Sequence, residues 1–118
     1  MVIISLLMIY PMGIHAQSPV VPDFRCIAVE GDSVKLYWKP YDTTLFDVYH
    51  IFYSYDLIRF DKLSFNVQNT DSVYAYREIN FTQPIYYYMT TINSQGESDE
   101  SDTLASIKLL IDNTIPGV

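Results

Sequence analysis

Hydrophobic and polar residues alternate along several short stretches of the chain, which is the pattern of a β-strand with one buried face. The stretch from Pro84 to Ser98 is a clear case, because its Tyr, Thr and Ile residues favour a strand over a helix and Asn93 to Gly96 supplies a turn. One predicted face carries Ile85, Tyr87, Met89 and Thr91, and the other carries Tyr86, Tyr88, Thr90 and Ile92.

Six further stretches have strand composition, and turn residues such as Gly31 and Asp32 separate them. They run over Phe24 to Glu30, Ser33 to Lys39, Val48 to Tyr55, Ile58 to Val67, Val73 to Ile79 and Thr103 to Ile111. In the second of them Val34, Leu36 and Trp38 share one face, which predicts that Trp38 lies in the core. Seven short strands without a helical period predict an all-β fold, an antiparallel β-sandwich.

The first seventeen residues contain no Asp, Glu, Lys or Arg, and Val2 to Tyr10 is apolar apart from Ser5. Such a block, ending in Ile14-His15-Ala16, is typical of a secretory signal peptide cleaved before Gln17, although the usual basic residues at its start are missing. A membrane-spanning helix needs about 20 apolar residues, more than this run offers. We predict a signal segment at residues 1–16, a secreted or cell-surface protein, and no membrane span after removal of the segment.

The rest of the chain has the size of one domain. Of the 118 residues 49% are hydrophobic, which is sufficient for a packed core. We predict a proline-bracketed linker at residues 17–22, a folded domain at residues 23–111 and a C-terminal tail or linker at residues 112–118. The net charge of −7, without any run of basic residues, argues against nucleic acid or an anionic membrane surface as a partner.

Residues that carry enzyme and metal chemistry are scarce. After removal of the signal segment, His50 and Cys26 are the single His and the single Cys, and they form no zinc or nucleophile spacing. We predict that His50 is a solvent-facing strand residue. Cys26 shares its predicted face with Phe24, which favours a small buried side chain over a reactive thiol. We expect no enzyme activity, no catalytic residue, no metal and no cofactor.

Acidic residues cluster after the Pro84 strand, at Glu97, Asp99, Glu100 and Asp102. In a sandwich, this loop is predicted to lie at the same pole as Asp42, Asp47 and Asp71. Carboxylates gathered on loops could hold calcium, which takes about six to eight oxygen ligands. The spacing matches no calcium-binding loop, so we favour a solvated acidic loop.

Several of these segments resemble, in order, pieces of a fibronectin type III domain. Pro22 precedes the first strand, residues 33–40 (SVKLYWKP) are similar to the second strand of the family with its core Trp, and residues 49–53 (YHIFY) are similar to its third. Residues 89–93 (MTTIN), followed by Gly96-Glu97-Ser98, resemble its sixth strand and turn. The resemblance spans Ser18 to Ile111 and implies a seven-stranded immunoglobulin-like sandwich that acts outside the cell as a spacer or protein-interaction module, often within a longer chain.

One position departs from the family pattern. A fibronectin type III domain usually has a tyrosine six residues after the apolar residue that ends its fifth strand. Counted from Ile79, this position is Ile85. Tyr86 or Tyr87 could form the tyrosine corner only if the strand register shifts by one or two residues.

The third and sixth strands are neighbours in such a sandwich, so His50 and Phe52 are predicted to project outward beside Tyr86 and Tyr88. An aromatic patch of this kind suits a protein partner or the face of a sugar ring. Outward-facing tyrosines also pack across strands without any ligand, which is the structural alternative. We therefore predict a non-catalytic interaction or spacer module whose partner is a protein or a neighbouring domain. A carbohydrate-binding sandwich is the alternative, and a hydrolase fragment a third.

Overall fold

The computed structural model describes residues 18–78 and 82–106. In these residues it contains eight strands: β1 (Asp23–Glu30), β2 (Ser33–Lys39), β3 (Val48–Ser54), β4 (Asp61–Gln68), β5 (Val73–Arg77), β6 (Ile85–Asn93), β7 (Gly96–Glu97) and β8 (Leu104–Ser106). The predicted signal segment, the predicted tail, Ile79 and residues 107–111 lie outside the described residues. The described part of the chain has no helix that is long and apolar enough to cross a membrane.

The strands form two antiparallel sheets, which confirms the predicted all-β sandwich. One sheet has the order β1-β2-β5, and the other has the order β4-β3-β6, with β7 and β8 both paired to β6. The predicted final strand, Thr103 to Ile111, is found as β8 as far as the described residues reach, and β7 is an additional short strand at the predicted turn. Between them, the hydroxyl oxygens of Ser98 and Ser101 accept hydrogen bonds from the backbone N–H groups of Thr91 and Met89, at 2.9 and 2.8 Å. Ser98 and Ser101 also donate their backbone N–H groups to the carbonyls of Thr91 and Met89, so the side chains supplement the backbone pairing along β6.

The core lies between the two sheets. Trp38 is 4% exposed, its ring lies 5.0 Å from that of Tyr49, and its Nε1 donates to the Asp71 carbonyl at 2.9 Å. This confirms the predicted core position of Trp38. The predicted inward residues of β6 are also fully buried, namely Ile85, Tyr87, Met89 and Thr91.

A two-residue turn joins β1 to β2, as predicted. Glu30 pairs with Ser33 across the ladder, and Gly31 has a φ of +61°, a left-handed conformation that glycine adopts without a steric penalty.

Cys26 is exposed, so the prediction of a buried side chain was wrong. In the ladder Phe24 lies opposite Trp38 but Cys26 lies opposite Tyr37, which makes Arg25 an extra residue in β1. Side chains beyond an inserted residue change faces, and the bulge therefore turns Cys26 away from the core side of Phe24.

The residues before β1 lie against the sandwich. Pro19 and Pro22 are buried, and the Val20 carbonyl accepts a hydrogen bond from the Thr91 hydroxyl. The predicted domain boundaries stay predictions.

Ile85 occupies a core position at the start of β6. The buried tyrosine of this strand is Tyr87, two residues later, and its hydroxyl forms a hydrogen bond with the hydroxyl of Tyr76. Isoleucine thus fills the position where the family usually has a tyrosine, and Tyr87 bonds instead to a tyrosine of the other sheet.

Candidate functional site

The outer face of the sheet formed by β4, β3 and β6 carries a group of aromatic side chains. Phe52 lies opposite Tyr88 across the β3–β6 ladder, and their rings stack with centroids 4.7 Å apart. His50, two residues earlier on β3, lies edge-on to Phe52 at 6.3 Å. The strand alternation thus brings three of the four predicted site residues together.

Two residues that the sequence did not single out join this group. Phe65 of β4 stacks on His50 with centroids 3.9 Å apart and ring planes 10° apart, and Phe60 lies 4.8 Å from Tyr88. The β3–β4 ladder shifts register twice between Tyr49 and Phe52, so simple alternation does not place Phe65. The sequence feature that could have pointed to Phe65 is its position as a large apolar residue between polar Ser64 and Asn66. We call the set His50, Phe52, Phe60, Phe65 and Tyr88 the aromatic strip.

Tyr86, the fourth predicted site residue, lies apart from the aromatic strip. It is half-buried on the same sheet, opposite Ser54 on one side and Ala105 on the other. Among the described residues its ring contacts no other aromatic ring, so its flat faces are not covered by ring stacking.

His50 is less exposed than predicted, because Phe65 covers it. Its side chain is 17% exposed, and its Nδ1 lies 3.4 Å from Oε2 of Glu97. The same carboxylate oxygen accepts a hydrogen bond from the Thr90 hydroxyl at 2.6 Å. Glu97 is thereby held beside the end of the aromatic strip, where it places a negative charge.

Charged groups border the aromatic strip on both sides. Burial raises the pKa of Tyr88, and the nearby carboxylates of Glu100 and Glu97 raise it further. On the β4 side, the Lys62 ammonium lies over the ring of Phe65, 5.2 Å from its centroid. Carboxylates therefore border the aromatic strip along β7 and the following segment, and the Lys62 ammonium borders it at β4.

The acidic residues after β6 do not all lie at one pole, contrary to the prediction. The Ser98 N–H bonds to the Thr91 carbonyl and the Ser101 N–H to the Met89 carbonyl, so residues 98–101 run back along β6. This path carries Asp99, Glu100 and Asp102 away from the loop that holds Asp42. In residues 18–78 and 82–106, no three His, Cys, Asp or Glu side chains form a group that could hold a metal ion.

No protein-family profile and no curated protein matches the sequence. Solved structures do match. A fibronectin type III-like protein from Clostridium thermocellum is 15% identical, with a TM-score of 0.64 over 80% of this chain and 98% of that one. The FN1–FN3 domains of chicken CNTN1 are 16% identical, with a TM-score of 0.63 over 76% of this chain and 32% of that one.

A β-1,2-glucanase from Parabacteroides distasonis also matches, at 21% identity and a TM-score of 0.61. The match covers 78% of this chain, which spans only 14% of the glucanase chain. At these identities the likeness shows the fold. The two antiparallel sheets and their strand order define an immunoglobulin-like β-sandwich. Within that class, the chain has the fibronectin type III fold, as its sequence resemblance implied.

Proposed function

We propose that this domain is a non-catalytic module of a secreted or cell-surface protein and that it binds a protein partner through the aromatic strip. Domains of this fold commonly act as interaction or spacer modules. The observation that carries the proposal is the position of Phe65, which is 40% exposed at the outer surface of the aromatic strip. Partly exposed aromatic side chains with fixed neighbours are typical of the centre of protein interfaces.

The packing of the aromatic strip favours a protein over a sugar as its ligand. A sugar ring needs an open aromatic face, whereas Phe52 and Tyr88 stack on each other and His50 covers a face of Phe65. The packed rings of the strip are bordered by Glu97 beside His50 and by Lys62 over Phe65. This surface suits an apolar patch with a basic group placed to meet Glu97.

A site-specific photo-cross-linker tests the proposal. Introduced at position 65, it is expected to give a discrete protein adduct on the cell of origin, and the adduct is expected to weaken when Phe52→Ala is added. The matched control is a cross-linker at Tyr37, which is 36% exposed on the opposite sheet. Equal adducts from both positions, or none from position 65, would contradict the proposal.

A carbohydrate ligand is the second candidate, and Tyr86 is the residue that favours it. The Tyr86 ring has no stacked aromatic neighbour among the described residues, and part of a β-1,2-glucanase has a similar fold. Titration calorimetry with β-1,2-linked glucan checks this candidate. Binding that is lost in Tyr86→Ala and retained in Tyr88→Ala would support it, and absence of heat in the wild-type chain would exclude this ligand.

Export is the cellular part of the proposal. If the signal segment is removed as the sequence predicts, protein recovered from the secreted fraction has its N-terminus at Gln17 or within a few residues of it. Intact-mass measurement decides the point. Recovery of the full-length chain from that fraction would contradict the signal prediction.

A further inference from the structure

Strand β5 forms one edge of the β1-β2-β5 sheet. The Trp38 N–H bonds to the Ser72 carbonyl and the Glu78 N–H to the Asp32 carbonyl, so even-numbered residues along β5 direct their backbone groups toward β2. In an antiparallel ladder these directions alternate. The N–H and C=O groups of Val73, Ala75 and Arg77 therefore point away from the sheet, and no strand in the described part of the chain pairs with them.

The other described edges are less suited to pairing than β5, and at the far edge of the second sheet β7 and β8 are only two and three residues long. Strand β1 has the bulge at Arg25, and the β3–β4 ladder is irregular at two places. The β2–β5 ladder runs without a shift from Tyr37↔Val73 to Ser33↔Arg77. Strand β5 has no proline, and Ala75, at its centre, is small and exposed. Bulges and prolines are the usual protection of an edge strand, so β5 is the open one.

The sequence of β5 fits a second copy of itself. When two β5 strands run antiparallel about Ala75, Ala75 meets Ala75, Tyr74 meets Tyr76, and Val73 meets Arg77. Each outward N–H and C=O then finds a partner, and the tyrosine pairs add cross-strand contact. The two Ala75 side chains would lie side by side on one face of the joined sheet, where their small size avoids a clash. We propose that the outer edge of β5 is a homodimer interface, in which two chains join their three-stranded sheets into one.

Charge sets the conditions under which this dimer forms. Each chain has a net charge of −7, so two copies repel each other at low ionic strength. Salt screens that repulsion, whereas backbone hydrogen bonds between strands depend little on salt. Self-association is therefore expected to strengthen as sodium chloride is raised. The β5 edge belongs to the opposite sheet from the aromatic strip, so this proposal and the proposed function fail independently.

Sedimentation velocity of the purified chain over a range of concentration and salt is the first experiment. The wild-type chain is expected to show a concentration-dependent dimer. Ala75→Pro removes an outward N–H without removing a bond to β2 and is expected to weaken dimerisation at least tenfold, whereas Ala75→Ser keeps the N–H and is expected to dimerise normally. A wild-type chain that stays monomeric throughout, or a dimer equally strong in Ala75→Pro, would overturn the proposal.

Charged substitutions at Ala75, on the two-fold axis of the proposed dimer, test the same interface if the proline variant fails to fold. Ala75→Lys and Ala75→Glu are each expected to be monomeric, because like charges meet at the axis, and a mixture of the two is expected to form a heterodimer. Hydrogen exchange provides the local readout: the amides of Val73, Ala75 and Arg77 should become protected as wild-type concentration rises. Homodimers of both charged variants as strong as the wild type would place the interface elsewhere and overturn the proposal.

Discussion

The hydroxyl groups of Tyr76 and Tyr87 form a hydrogen bond that joins the two sheets of the sandwich. Tyr76 lies on β5 of one sheet and Tyr87 on β6 of the other, where its side chain is fully buried. Burial raises the pKa of both phenols, and for Tyr76 the hydrogen bond with Tyr87 raises it further. The pair is thus a neutral polar contact within the core.

Replacing Tyr87 by Phe tests the energetic weight of this contact. The substitution removes one hydroxyl and leaves that of Tyr76 with Glu78, whose Oε1 lies 3.4 Å away, as its neighbour. We expect the free energy of unfolding to fall by about 1–2 kcal/mol, measured by urea denaturation. Tyr86→Phe on the outer face is the matched control and should change it little. An equal effect of both substitutions would show that the cross-sheet bond contributes nothing specific.

The same pair predicts a loss of stability in alkali. A phenol whose folded-state pKa lies above its unfolded value holds its proton more tightly in the folded state. The contribution of such a phenol to the free energy of unfolding is fully present below its unfolded-state pKa of about 10. It is lost as the pH rises from there toward the folded-state pKa. Urea denaturation between pH 8 and pH 11 should therefore show a falling free energy of unfolding. The fall should be shallower in the Tyr76→Phe, Tyr87→Phe double variant, and an unchanged slope there would contradict the assignment.

Alternation in the sequence was enough to place the strands that pack on both sides of the core. It gave the inward face of β6 and the position of Trp38, because a period of two is preserved wherever the ladder is regular. It failed where a residue is inserted. The bulge at Arg25 places Cys26 on the opposite face from the one that alternation predicted. The register shifts in the β3–β4 ladder meant that alternation did not predict the position of Phe65. Insertions of this kind depend on tertiary packing and leave no local signature in the sequence.

The contacts of the segment between β7 and β8 could not be predicted, for a different reason. Residues 98–103 are polar and read as a loop, and the structure indeed assigns them no strand. Ser98 and Ser101 nevertheless bind β6 with both backbone and side chain, which only the placement of β6 beside them reveals. The aromatic strip could be predicted in part because β3 and β6 are adjacent in the family fold, whereas the position of β4 beside them could not be read from its composition.

Trp38 is the residue whose loss we expect to be most costly. It packs on Tyr49 and donates to the Asp71 carbonyl, so truncation leaves both a cavity and an unpaired acceptor. Trp38→Ala should lower the free energy of unfolding by about 3–5 kcal/mol. Trp38→Phe retains most of the packing, and it should lower the free energy of unfolding by less than half as much as Trp38→Ala does. A denaturation midpoint in Trp38→Ala equal to that of the wild type would contradict the core assignment.

Ser101 offers a test of the side-chain ladder along β6. Its hydroxyl oxygen accepts from the Met89 N–H at 2.8 Å, and the hydroxyl donates to the Asp102 carbonyl at 3.0 Å. Ser101→Ala removes the acceptor and leaves a buried N–H without it, which should cost about 1–3 kcal/mol. Ser94→Ala, at an exposed turn position, is the control. Hydrogen exchange at the Met89 amide should be faster in Ser101→Ala and unchanged in Ser94→Ala, which would assign the loss of stability to the missing acceptor. Unchanged exchange at Met89 in Ser101→Ala would contradict this assignment.

The turn between β3 and β4 contains the one non-glycine residue with a positive φ among the described residues, Leu57 at 66°. Two side chains hold this turn. Ser54 Oγ accepts from the N–H of Leu57 at 3.0 Å, and Asp56 Oδ1 accepts from the N–H groups of Ile58 and Arg59 at 2.9 and 3.0 Å. These last two bonds hold the pKa of Asp56 below its usual value.

Leu57 is 52% exposed, so its side chain gains little from burial while its backbone bears the cost of a left-handed conformation. Asn tolerates that conformation better, and Leu57→Asn should therefore raise the free energy of unfolding by about 0.5–1 kcal/mol. The matched control is Ile58→Asn, because Ile58 is 85% exposed in the same turn but is not among the residues with a positive φ. It should leave stability unchanged within about 0.5 kcal/mol. Urea denaturation of the two variants decides the matter, and a loss of stability in Leu57→Asn would mean that the leucine side chain contributes packing that outweighs its backbone strain.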